Sequence, residues 1–378
     1  MSDFCETAKT WIDAEVYDRI HEATNAPPVR VLCVIMTYKG RHDAAKVVAR
    51  TWGARCAGFL AVSDEKDDSV PTVQASYQGP EGWNYLWVKK VSLYHDVRKF
   101  WEELGWEDAY DYVFFGDDDT YVVVPNLQAY LAALPVPAAS EEEEEEKGEG
   151  VYIGGGHRIR GDPDDDEYDV TYNVGGAGSV FNARALRALC VSILTDTCTA
   201  GVTGSDTGLF TFEDVFTGRC MAGAMPHPMI PKDTRDEHGR HRFFSISPLD
   251  ILGNGEYTGQ PQQWVQWYQS TMVGYMSGAR SVSPELISFH DIKDPRGMLN
   301  IHRYLALCPS SMENYARDAS AGDSRETSAS HSSASVQPST FAALASEQVA
   351  ARAAQMAAHN QEQAPLSRGG NYSSEVDL

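Results

Sequence analysis

The chain has 378 residues and carries 31 Lys and Arg against 54 Asp and Glu, a formal net charge of −23 at pH 7. That balance argues against a nucleic-acid binder, which needs a basic footprint. The length is ample for a sizeable core in one large domain or two smaller ones.

Residues 1–28 read as a polar lead-in with helical character from Ala8 to Ala23, closed by Pro27 and Pro28. The opening Met1 to Glu6 lacks a basic and then apolar leader. The longest clean apolar run, Val31 to Met36, is too short to span a bilayer. On these residues alone the chain reads as soluble and unsecreted, or as missing a targeting segment ahead of it. Val29 to Met36 has the near-continuous apolar character of a parallel strand buried on both faces. A helix is predicted from Asp43 to Trp52, then strands at Phe59 to Val62 and Tyr85 to Val88. Val91, Tyr94, Val97, Trp101 and Leu104 recur at helical spacing and lead into the strand Tyr112 to Gly116. Helices follow at Asn126 to Leu134, Ala183 to Leu194, Glu213 to Met221 and Pro295 to Leu307, with strands at Val151 to Gly154 and Leu286 to Phe289. Strands alternating with helices predict an α/β fold around a mainly parallel sheet. Glu141 to Glu146 and Asp162 to Asp169 are acid-rich and read as solvated surface insertions. After Pro309 the composition turns to Ser, Ala, Gln and Glu, so 310–378 reads as a mostly disordered tail.

The most informative segment is Asp117-Asp118-Asp119-Thr120, at the carboxyl end of a buried strand. Three adjacent acids repel one another, and a divalent cation with hard oxygen ligands removes that cost. Ligand sites of open α/β sheets lie at that end of the strands. A solvated acidic turn is the plain alternative. The Asp-x-Asp-x-Thr pattern of haloacid-dehalogenase phosphatases is a poor match, because Thr120 comes one place too early. Glu213-Asp214 opens a helix, where acids stabilise the amino end or serve as a general base. His290 ends a strand as a structural residue or as a metal ligand. Gly175 to Gly178 is either an ordinary turn or a place where backbone approaches a ligand. Trp264, Trp267 and Tyr268 could stack on a sugar or fill the core. The seven cysteines contain no C-x-x-C pair.

Taken in order, several segments resemble the inverting GT-A glycosyltransferases of the β-1,3-galactosyltransferase and Fringe clan, above all those making core 1 O-glycans. They are Arg30 to Thr37, Arg50 to Cys56, Asp117 to Val122, Gly175 to Gly178, Glu213 to Val215 with Gly218 to Cys220, Asp233 to Asp236, and Ser288 to His290. The resemblance implies a Rossmann-like catalytic domain over 29–309, flanked by the 1–28 lead-in and the 310–378 tail. It implies a divalent metal, usually Mn2+, held by Asp119 and His290 with Asp117, and UDP-galactose as donor. Asp117 and Asp118 would position metal, ribose or sugar. Gly176, Ala177 and Gly178 would line the donor pocket, with Thr37 and Arg50 near the nucleotide. Lys89 or Lys90 would neutralise a phosphate, against the ordinary expectation that lysines lie on the surface. Asp214 would be the base in a single in-line displacement. The acceptor would be a glycoprotein, with a Fringe-like N-acetylglucosaminyltransferase or a non-catalytic chaperone as the other readings. Bridges Cys33–Cys56 and Cys198–Cys220, a Golgi lumenal setting, an anchor helix not seen in this chain and room for a homodimer are implied as well. The chain departs from the family at Gly278 to Pro284, where a cysteine pair is usual and none stands.

Overall fold

The computed structural model describes residues 29–82, 85–134, 150–159, 170–195, 212–224, 228–248, 251, 262–276 and 278–308, with 19, 20, 22 and 23 ahead of them. The acidic runs, most of the lead-in helix, Cys198 and the tail lie outside these residues. Among the described residues no helix is long and apolar enough to cross a membrane.

The architecture is α/β, with a mostly parallel sheet between helices. Strands β1 (Val31–Met36), β2 (Gly58–Ser63), β3 (Thr72–Gln74) and β4 (Tyr112–Asp117) run parallel in the spatial order β3-β2-β1-β4. Two antiparallel strands, β9 (Ser179–Phe181) and then β6 (Tyr152–Gly154), complete the 6-stranded sheet. Smaller ribbons pair β5 (Tyr121–Val122) with β10 (Ser288–Phe289), and β7 (Gly156–Ile159) with β8 (Val170–Asn173). The helices are α1 (His42–Arg50), α2 (Leu86–Glu103), α3 (Val124–Ala132), α4 (Ala183–Leu194), α5 (Glu213–Ala222), α6 (Gln262–Thr271) and α7 (Pro295–Leu307).

The predicted strand at Tyr85 to Val88 is the start of α2 instead. A short apolar run cannot distinguish strand from buried helix. Here Trp87 packs its ring on Phe216 at 5.1 Å while Val88 faces solvent, so the segment is two-faced at helical spacing. The third strand is β3, too short and too polar to read from its pattern.

The sheet is buried on both sides. Cys33, Ile35 and Phe114 belong to one core, and Leu32, Val34, Val113 and Phe115 to the other. That double burial is why β1 reads as a continuous apolar run. Trp52 is fully buried edge-on to Phe59 and Phe114, and its indole N–H donates to the Thr120 carbonyl at 2.9 Å. The same tryptophan thus anchors core and acidic turn. Cys33 and Cys56 are bridged, tying β1 to the segment that enters β2. Cys220 and Cys308 are also disulfide-bonded, and Cys190 is a buried free thiol.

Candidate active site

The chain crosses from β1 to β2 on one side and pairs β1 with β4 on the other, so the crevice between the ends of β1 and β4 is a topological switch point. Register places Met36 opposite Asp117, which sets Thr37 beside the acids that follow β4. The Thr37 hydroxyl donates to Asp118 Oδ2 at 2.7 Å, and Arg41 Nε donates to Asp118 Oδ1 at 2.7 Å. Burial still pushes the Asp118 carboxyl up to about 6, with the nearby Asp119 charge adding to it. The turn itself is locked by Thr120. Its hydroxyl accepts from the Asp117 N–H at 3.2 Å and donates to the Gly176 carbonyl at 2.8 Å.

Asp119 points the other way. Its Oδ1 lies 3.2 Å from His290 Nε2, and Lys293 Nζ sits on its Oδ2. Burial alone would raise this carboxyl, but the two cations hold it well below the usual range. Asp119 in turn raises His290 to about 9 against the cost of burial. His290 Nδ1 donates to the Ser245 carbonyl at 3.0 Å, which fixes the ring and turns Nε2 toward the acids. One ligand atom each from Asp117, Asp119 and His290 lies within 4.8 Å of the others. Two carboxylates and an imidazole suit Mn2+ or a similar divalent ion. The fit is supported by Asp117 Oδ1, a buried oxygen without a hydrogen-bond partner, and by the Lys293 ammonium standing where positive charge is wanted.

The glycine loop closes the crevice. A Cβ on Gly176 would come within 2.4 Å of the His290 ring, so only glycine fits between the loop and that ring. Gly178 takes φ +82°, a left-handed conformation that favours glycine. The Ala177 carbonyl accepts from Ser288 at 2.6 Å, tying the loop to β10. On its far side, the Gly175 N–H donates to Asp214 Oδ2 at 3.2 Å, and the Val215 N–H donates to Asp214 Oδ1 at 2.8 Å. Burial raises Asp214, although those backbone N–H groups oppose it. Burial and the Asp214 charge push Glu213 up to about 8.

The crevice brings together Thr37, Asp117, Asp118, Asp119, Gly176, Ala177, Gly178 and His290, and the same glycine loop reaches Asp214. Arg50 is exposed at the end of α1, and among the described residues nothing links it to the acids. Arg41, from the turn before α1, stands beside the acids. Lys89 and Lys90 are both buried, against the surface expectation, at 5% and 2% exposure. Lys89 is committed to the Thr37 carbonyl at 2.9 Å and to Glu81 at 2.8 Å. Arg41 and Lys293 carried no distinguishing sequence signal, because a lone charge near an acid cluster is ordinary. Trp267 stacks on Phe212 at 5.5 Å, and the Trp264 side chain lies outside the described residues.

No protein-family profile matches the chain. Over 279 residues, 73% of its length, it is 26% identical to Glycoprotein-N-acetylgalactosamine 3-beta-galactosyltransferase 1 of Xenopus laevis. The match spans 66% of that protein, just under two thirds of it. The chain is therefore similar, at a distance, to a galactosyltransferase, with an α/β fold and an acid-imidazole group able to hold a divalent metal.

Proposed function

We propose that the protein is a metal-dependent inverting glycosyltransferase that moves galactose from UDP-galactose to the 3-hydroxyl of O-linked N-acetylgalactosamine on a glycoprotein. The observation that carries this reading is the convergence of Asp117, Asp119 and His290 at the switch point, with Asp214 reached through the same glycine loop. The distant similarity to a galactosyltransferase supports the sugar and the acceptor, and the resemblance supports a Golgi lumenal setting. A Fringe-like choice of donor and acceptor is the second reading. It is favoured only by the departure from the family at Gly278 to Pro284. A chaperone is disfavoured, because such a protein has no need of an assembled acid-imidazole group.

When bound, Mn2+ would neutralise the leaving diphosphate as a Lewis acid. The rest falls to the chain. Asp117, Asp119 and His290 would hold the ion, and Arg41 adds a second positive group at the same mouth. Asp214 takes the proton of the acceptor hydroxyl. Its two backbone N–H bonds aim the carboxylate, and burial lifts its affinity for the proton it must accept. The hydroxyl oxygen then bonds to the anomeric carbon as the bond from that carbon to the phosphate oxygen breaks. UDP leaves and the configuration inverts. Burial and the neighbouring carboxyl push Glu213 up, and burial pushes Asp214 up as well, so the pair resists carrying two negative charges.

The test is a transfer assay with UDP-galactose, Mn2+ and a peptide bearing O-linked N-acetylgalactosamine, read by mass. The reading expects a gain of one hexose that disappears with EDTA. No gain with this pair, but a gain with UDP-N-acetylglucosamine and a fucosylated acceptor, would favour the second reading.

A further inference from the structure

His157, on β7, has no role in the chemistry above, yet it is fully buried and has a polar partner at each ring nitrogen. Burial pushes it down to about 3, with the nearby His241 adding to the shift, so the ring is neutral and carries one proton. The surroundings decide which nitrogen holds it. The Thr271 hydroxyl, 2.9 Å from His157 Nδ1, spends its one proton on the Trp267 carbonyl at 3.0 Å, and so it accepts from the ring. Nδ1 therefore carries the proton. Nε2 is left to accept from the Ser245 hydroxyl, a long contact at 3.5 Å.

Followed in one direction, these contacts lead to the metal corner. The Ser245 carbonyl accepts from His290 Nδ1 and fixes the ring whose Nε2 faces Asp119. Followed in the other direction, they lead to α6. Thr271 closes that helix, and Met272 after it makes a backbone bridge to His157. The His157 ring stands edge-on to Tyr268 at 5.8 Å. One residue earlier, Trp267 stacks on Phe212 at 5.5 Å. Phe212 caps the start of α5, two residues before Asp214. Helix α6 thus touches the base corner through Trp267 and the metal corner through His157. An in-line displacement needs those corners at a fixed separation, because a small misplacement of reacting groups is costly.

We propose that His157 is a positioning residue, which ties the His290 ring to α6 through Ser245 so that one helix sets the metal corner against the base corner. The inference rests on the functional reading given above. It is tested by titrating Mn2+, without donor, into the wild type, His157→Phe, His290→Ala and the double variant. Phenylalanine keeps a ring beside Tyr172 and Tyr268 and removes both nitrogens. Mn2+ affinity should fall roughly 3- to 30-fold in His157→Phe, the size expected of a residue that acts through another. In the His290→Ala background the same change should matter by less than about twofold, because the ring it positions is gone. No fall in His157→Phe overturns the inference. So does an equal fall in both backgrounds, which is what a general loosening of the core would give. If the phenylalanine variant does not fold, Ser245→Ala takes its place in the cycle, since alanine keeps the carbonyl and removes the hydroxyl that meets His157. If His290→Ala binds too weakly to titrate, the nitrogen coupling of Mn2+-bound histidine decides. It should broaden in His157→Phe, and an unchanged coupling overturns the inference. Thr271→Val should lower Mn2+ affinity in the same direction, and a normal affinity there overturns the link to α6. Wild-type protein that binds no Mn2+ defeats the functional reading itself, whereas Mn2+ held through His290 with indifference to His157 defeats this inference alone.

Discussion

At the ends of β1 and β4, Asp119 lies between His290 and Lys293 and is held far below the usual carboxylate range, whereas at the start of α5 Glu213 and Asp214 lie side by side and are both pushed up. Desolvation pushes the carboxyls of both corners up. The difference lies in the partners. Asp119 has an imidazolium and an ammonium in contact, while Asp214 has two backbone N–H groups and an acidic neighbour. A metal ligand must stay ionised, and a base must hold the proton it takes. One crevice supplies both environments, joined through the glycine loop, and carboxyls driven in opposite directions fit the opposite roles proposed for them.

The strongest way to break this contrast is Asp214→Asn, which keeps the shape and removes the base. Transfer should fall by about 100- to 10,000-fold while Mn2+-dependent UDP binding persists. Near-normal turnover would remove Asp214 from the mechanism. Next in size, Asp119→Ala and His290→Ala should each weaken Mn2+ binding roughly 10- to 100-fold or more, measured by titration without donor. Unchanged metal affinity in both would dissolve the first corner. Cys33→Ser should lower stability by about 2–4 kcal/mol in denaturant unfolding, because the bridge to Cys56 is formed. No change in the midpoint would show that the bridge adds nothing.

The smallest effect is on pH. Asp118 is raised to about 6, Glu213 to about 8 and His290 to about 9. A group raised on folding stabilises below its unfolded pKa, and that contribution is lost as pH climbs through the folded one. All three therefore act with the same sign, and the melting temperature in EDTA should fall steadily from about pH 4 to pH 9. Asp119 has the opposite sign, and its contribution is lost only in acid, below its ordinary value of 3.8. A flat profile through neutrality would mean that the crevice is more hydrated than its geometry indicates.

Much of this was legible in the sequence because the relevant signals are local. The apolar run of β1, the helices α4 and α7, and the acid triplet after β4 each follow from a few adjacent residues. The α2 start misled because Tyr85 to Val88 is apolar in composition while its two faces differ only in three dimensions. Arg41 and Lys293 could not be picked out, since they meet the acids across 77 and 174 residues of chain. The burial of Lys89 and Lys90 was equally hidden, because composition assigns lysine to the surface. Gly176 was marked as a place of close approach, but the His290 ring it admits lies on a different strand end.

The most direct test of the site is pulsed electron paramagnetic resonance of the protein with Mn2+ and UDP. A nitrogen coupling from a directly bound histidine is expected, and it should vanish in His290→Ala while a weaker all-oxygen site remains. An all-oxygen coordination sphere in the wild type would contradict the assignment of His290 and, with it, the metal corner on which the proposed reaction depends.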